Sequence, residues 1–277
     1  MKRIGTFALT LTLAGAMSLP VLAAEPELVI APSPAAYHTA IFVNGQEVDV
    51  SDVPAGQGIP MRLVAEADYG SASWYEEEGT GAFYLDGNVI TVTFETGAVD
   101  VNGTVLEGVT AEVKEGVTFL PASVLAGLEG YSVGENSEPD ISRIDITTPN
   151  GAPLVKMAYA IMEEAGVGRG MKASADDLER YGFTAENFTE VVGFFQMITS
   201  PDTVILGKVA EGKLDAVKAE LETYRQAQED TFSWYLAQNL PKVQDARVET
   251  EGDYILFLIG EDADKGVELF HAGVKDL

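Results

Sequence analysis

The chain has 277 residues, 46 % of them hydrophobic, and carries 44 acidic against 17 basic side chains for a net charge of −27. That length and apolar content suit one or two domains with ordinary cores. The charge argues against nucleic acid and anionic bilayers as partners, since both need Lys and Arg set against phosphate. With no cysteine in the chain, disulfides, thiolate nucleophiles and lipidated cysteines are excluded too.

The N-terminus reads as a cleaved signal peptide over residues 1–23. Lys2 and Arg3 form a basic start, residues 4–17 are apolar, Pro20 breaks any helix, and Val21-Leu22-Ala23 is a small-x-small cleavage site. The apolar run is too short for a stop-transfer span, and no later stretch is long enough to span after cleavage. The expected location is extracellular or at the cell surface. A cysteine-free exported chain fits the outside of a Gram-positive bacterium. Residues 24–37, rich in Pro and Ala, form an extended leader.

A first α+β domain is expected over residues 38–148. Three β runs break at Asn44-Gly45, Asp86-Gly87 and Asn102-Gly103, pairs suited to the type I′ hairpin turn because both central residues need positive φ. Val43-Asn44-Gly45 leads on to Ile59-Pro60-Met61-Arg62, a short helix and Gly70. Val101-Asn102-Gly103 leads on to Phe119-Leu120-Pro121, a short helix and Gly130. Each unit is therefore hairpin, strand, Pro at a helix start and a Gly stop. Two such units suggest an antiparallel sheet with two helices on one face.

This twin spelling, over residues 41–147, resembles the copper amine oxidase N-terminal domain-like family, a stalk or envelope module of secreted proteins. The first unit keeps the family's Arg (Arg62) and Trp (Trp74); the second has Ser123 in place of the Arg and lacks the Trp. The resemblance implies a non-catalytic module and no copper. His38 and His271 are the two histidines of the chain, too few to build a copper site, and both read as isolated surface residues.

Residues 149–153 read as a linker, and a second α+β domain follows over residues 154–277. Helices are expected over 154–165, after the Ser174 cap, after Thr184 through Val192, over 213–240 and over 267–274. Strands are expected at 203–208, 247–249 and 254–259, the last two around a Gly252-Asp253 turn. This half resembles domain of unknown function 4358, through the strand-then-helix unit, Arg225, Gln228, Phe232 and Tyr235 on the helix, and Gly252-Asp253-Tyr254. That resemblance implies fold and location, with no assigned activity. The fold class expected overall is α+β: two domains, each an antiparallel β-sheet packed with helices.

Catalytic machinery is not visible. There is no Gly-x-Ser-x-Gly elbow. The Gly166–Gly170 stretch follows a helix and lacks the Lys and Ser/Thr of a phosphate loop. Asp262-Ala-Asp264-Lys-Gly266 places its Gly one position early for a calcium loop. No metal site and no cofactor are expected. On the long helix, Leu214, Val217, Leu221, Tyr224, Phe232 and Tyr235 share one arc, with Gln228 inside it and Arg225 on its flank. A buried Gln needs a fixed partner or marks a small pocket. Arg225, Gln228, Tyr235 and Trp234 are accordingly the candidate binding residues. The function expected is a secreted, non-enzymatic cell-envelope binding or spacer module for a protein or wall polymer. The alternative is a secreted hydrolase of wall or dietary glycans working through two carboxylates.

Overall fold

A computed structural model describes residues 37, 39–138, 141–197 and 199–277. The signal peptide, most of the leader and His38 lie outside the described residues. The three expected turns form as the sequence requires: Asn44 and Gly45, Asp86 and Gly87, and Asn102 and Gly103 all take positive φ, the type I′ signature. Two of these hairpins belong to a five-stranded antiparallel meander of Ser71–Tyr75, Thr80–Leu85, Asn88–Thr93, Ala98–Val101 and Thr104–Thr110.

The first half holds three sheets rather than the single antiparallel sheet expected. Ala40–Val43 is an inner strand of a four-stranded sheet and runs parallel to the other inner strand, Ile141–Thr147, with Ile41 opposite Ile144 and Val43 opposite Ile146. A parallel neighbour so far along the chain leaves no local turn signal. The repeat has a structural counterpart in the third sheet. Ile59–Pro60 and Val117–Leu120, the pre-helix strands of the two units, pair antiparallel with Pro60 opposite Phe119. Each leads through a proline N-cap into a short helix, α1 (Met61–Ala67) and α2 (Ala122–Ala126).

The helix stops differ from expectation in one instructive place. After α1 the left-handed residue is Tyr69 (φ 61°), not Gly70. Gly70 is needed for another reason: a side chain there would collide with the Tyr84 carbonyl oxygen. In the second unit Gly130 does take positive φ. Ile41, Ile59, Met61, Ile90, Phe119 and Leu120 anchor one continuous apolar core in this half.

The second half is an antiparallel five-stranded sheet in the order Met171–Lys172, Phe188–Phe195, Thr203–Val209, Tyr254–Ile259, Arg247–Glu251. Val204, Leu206, Leu256 and Leu258 pack on one face against α3 (Pro153–Glu164) and Phe270 of a C-terminal helix. Ile205, Ile255, Phe257 and Ile259 pack on the other against α4 (Ala175–Arg180) and α5 (Leu214–Phe232). Helices on both faces explain why these strands read as unbroken apolar runs instead of alternating ones.

Three expected elements change here. The helix expected after Thr184 is a 3-10 turn (Ala185–Asn187) followed by the strand Phe188–Phe195. The Thr184 hydroxyl donates to Glu220 Oε1 at 2.7 Å instead of capping a helix. The helix expected over 213–240 ends at Phe232. Past it Leu236 takes φ 51°, and a separate short helix, α6 (Leu240–Gln244), follows. The last helix, α7 (Ala263–Gly273), begins earlier than expected, with Asp262 capping it. In the stretch 149–153 read as a linker, Asn150 is 1 % exposed and Pro153 is exposed, and the preceding Thr148 is 3 % exposed. Among the described residues no helix is long and apolar enough to cross a membrane.

Candidate functional site

The buried stretch at Thr148 is a polar joint between the halves, built around Asp68, which is 0 % exposed. Thr148 Oγ1 donates to Asp68 Oδ1 at 2.5 Å, Asn44 Nδ2 donates to the same oxygen at 3.1 Å, and the Tyr131 hydroxyl donates to Oδ2 at 3.2 Å. Asn150 Nδ2 donates to the Asp68 carbonyl at 3.0 Å. Lys172 then ties the second half in, donating to Asn150 Oδ1 at 2.9 Å and pairing with Asp86 at 2.6 Å. Burial raises the Asp68 carboxyl above its ordinary pKa, against the pull of these donors. The two Val-Asn-Gly turns thus have separate tasks. Asn44 serves the joint, while Asn102 holds its neighbouring hairpin through Val89 N and Asn88 Oδ1.

Two concave features carry the candidate binding chemistry. The first is a groove of about 450 Å³ in the first half, at the open end between the five-stranded sheet and the start of α1. Its aromatic wall is Trp74, which is 53 % exposed yet stacked on Phe94 with centroids 4.0 Å apart and planes 16° off parallel. Gly81 lies opposite Trp74 on the adjacent strand. Any side chain at Gly81 would strike the Phe94 ring, so this glycine lets the two rings meet. Arg62, from the first turn of α1, and the carboxylates Asp49 and Asp52 complete the rim. The Ser51 N–H donates to Asp49 Oδ1 at 3.0 Å and holds that carboxyl below its ordinary pKa.

The second feature is a cleft of about 760 Å³ where the two halves meet, lined by Tyr69, Tyr84 and Asp86 from one side and Tyr159, Arg169 and Lys172 from the other. Tyr69 and Tyr159 stack across it at 3.7 Å and 6°. Burial pushes both phenols above their ordinary pKa.

The candidate residues on α5 lie elsewhere and line neither feature. Arg225 is held by Glu222 at 2.7 Å and Glu229 at 2.8 Å, so its charge is already matched. Gln228 is half-buried and has no side-chain hydrogen bond among the described residues. Trp234 (78 % exposed) and Tyr235 (37 %) follow the end of α5 with their rings 5.9 Å apart. His271, expected to be isolated, instead has Nδ1 2.5 Å from Glu251 Oε2 and lies near Glu249. Asp262, weighed as a calcium ligand, accepts from Lys265 N and pairs with its ammonium. No group of three metal-ligating side chains occurs among the described residues.

Sequence reasoning noted Arg62 and Trp74 as motif residues without nominating a site, and it missed Asp68, Tyr69, Tyr159 and Arg169 altogether. The signal available for Arg169 was its place in the glycine-rich 166–170 loop, an odd position for a cation in so acidic a chain. Comparison with curated proteins and with solved structures found no match for this chain. Residues 164–260, roughly a third of the chain and wholly within its second half, match the family model of a domain of unknown function, DUF4358.

Proposed function

We propose that this protein is an exported, non-enzymatic module of the cell envelope that holds a wall polymer in the Trp74 groove. The observation that carries the reading is an exposed tryptophan braced from behind by Phe94, at the mouth of a groove of about 450 Å³ with Arg62 on its rim. An exposed aromatic ring fixed in orientation presents a flat apolar face at small entropic cost. The C–H face of a sugar stacks on such a ring, and the flanking arginine, hydroxyls and carboxylates suit its hydroxyls. The signal-like N-terminus and the charge of −27 support export and solubility. The motifs of residues 41–147 support an envelope module similar to the copper amine oxidase N-terminal-like family.

The hydrolase reading draws on Asp49 and Asp52, which share the groove. A glycosidase acid needs a raised pKa, whereas Asp49 is held low. The carboxyl that is raised, Asp68, is sealed in the joint. Asp49 is therefore unsuited to the acid role.

Co-sedimentation with purified Gram-positive cell walls tests the reading. Trp74→Ala is expected to weaken wall binding about tenfold, a loss of ~1.4 kcal/mol, while costing no more than about 1 kcal/mol of stability. Undiminished wall binding by Trp74→Ala overturns the site. Steady release of soluble sugar, abolished by Asp49→Asn or Asp52→Asn, establishes the hydrolase instead.

A further inference from the structure

Most arginines of this acidic chain are spoken for. Arg143, Arg180, Arg225 and Arg247 each meet a carboxylate within 3.0 Å. Among the described residues the exceptions are Arg62 and Arg169, and each lines one of the two concave features. With 44 acidic residues against 17 basic ones, an arginine without a carboxylate partner goes against the chance expectation. A solvated surface arginine would be the ordinary explanation, but the cleft around Arg169 has three further properties that point to a ligand.

The first is local charge. The two carboxylates lining the cleft are already answered, Asp86 by Lys172 at 2.6 Å and Asp177 by Arg180 at 3.0 Å. Arg169, itself exposed, keeps a guanidinium without a carboxylate partner at the cleft, with Glu163 and the buried Asp68 as the further carboxylates near Tyr69. The second is unused hydrogen bonding. Neither the Tyr69 nor the Tyr159 hydroxyl has a protein partner among the described residues. No side-chain polar atom there is both buried and unsatisfied, so these hydroxyls stay accessible. The third is strain. Tyr69 sits at φ 61°, a left-handed conformation unfavourable for a non-glycine residue. The structure keeps a tyrosine where glycine would end the helix more easily, and that tyrosine forms the cleft wall by stacking on Tyr159.

We propose that the cleft between the halves is a second binding site, for an acidic sugar whose carboxylate or phosphate is held by Arg169 and whose hydroxyls meet the Tyr69 and Tyr159 phenols. The lining sets the Tyr69, Tyr84 and Tyr159 rings, Ser71 and Asn88 beside the apolar Leu85, Val89 and Met171, a mixture of ring surface and polar groups that suits a saccharide. A volume of about 760 Å³ is in the range of small-ligand sites. The Lys172 bridge to Asn150 and Asp86 holds the cleft preformed. The inference does not depend on the Trp74 groove.

Isothermal titration of the full chain supplies the test, with trigalacturonate as the carboxylated probe, glucose 6-phosphate as the phosphorylated one, and maltotriose as the neutral one. At least one acidic probe is expected to bind at least about tenfold more tightly than maltotriose, with affinity falling as salt rises. Which acidic probe binds identifies the anion. Arg169→Gln should erase that preference with the melting temperature unchanged. Lys218→Gln, which removes the same charge from an exposed position on α5, should leave it intact. Equal binding of acidic and neutral sugars, no binding of either acidic probe, or equal losses in both variants overturns the proposal. So does tighter Arg169-dependent binding of an acidic tripeptide, because the site would then be a peptide site.

Discussion

Asp68 is fully buried and its carboxylate accepts from Asn44, Tyr131 and Thr148, and its titration gives a prediction with a definite sign. Burial raises its pKa, so between the unfolded and folded values the native state binds more protons than the unfolded chain. Stability from this group is full below the unfolded value and is lost as pH rises through the folded one. The stability gap between wild type and Asp68→Asn should therefore shift against wild type as pH rises from about 4. Denaturant titrations at several pH values between 4 and 7 check this, and a gap that does not move refutes a raised Asp68. Sequence could not single out Asp68 among 44 acidic residues, because its partners Asn44, Tyr131 and Thr148 come from distant stretches. Gln228 is a different case: its position in an apolar arc was legible, and the arc stays buried as far as Phe232, where α5 ends, while Tyr235 beyond it is 37 % exposed.

At the scale of elements, the turns and the buried strands were legible because local chemistry decides them. Asn-Gly and Asp-Gly pairs can adopt positive φ in succession, and the apolar runs at Thr203–Val209 and Tyr254–Ile259 have no other stable place than between two helical layers. Phe188–Phe195 was misread because Thr184 looks like a cap until Glu220 of α5 takes its hydroxyl. The end of α1 offers a test of how an element boundary is set. Tyr69→Gly removes the left-handed strain but also the stack on Tyr159, whereas Tyr69→Ala keeps the strain and loses the stack. Alanine should therefore be the more destabilising by roughly 1 kcal/mol, read from denaturant midpoints. If the alanine variant is as stable as the glycine variant, the backbone at Tyr69 carries no strain worth counting.

For the whole molecule, composition suggested two domains on a loose tether, and the described residues show two sets of apolar core joined by a buried polar seam. Pro149, Asn150 and Gly151 look like linker residues because turn formers serve tethers and tight 3-10 turns alike; here they form the turn Pro149–Gly151. Cleavage by a protease requires a stretch of some residues to leave the surface and enter its active site. At the joint that means breaking the Thr148 and Asn150 bonds to Asp68 and exposing a carboxylate with its donors removed, each unsatisfied group costing about 1–3 kcal/mol. Native-state proteolysis should therefore spare residues 148–153. Thr148→Val keeps the size of the side chain but cannot bond Asp68, so it should open the joint and make this stretch a preferred site of cleavage. Calorimetry should show one transition in wild type and a partial separation of the two halves in Thr148→Val. Cleavage of the wild-type chain within residues 148–153 under native conditions, yielding two folded fragments, would show that the seam contributes little and that the halves are independent.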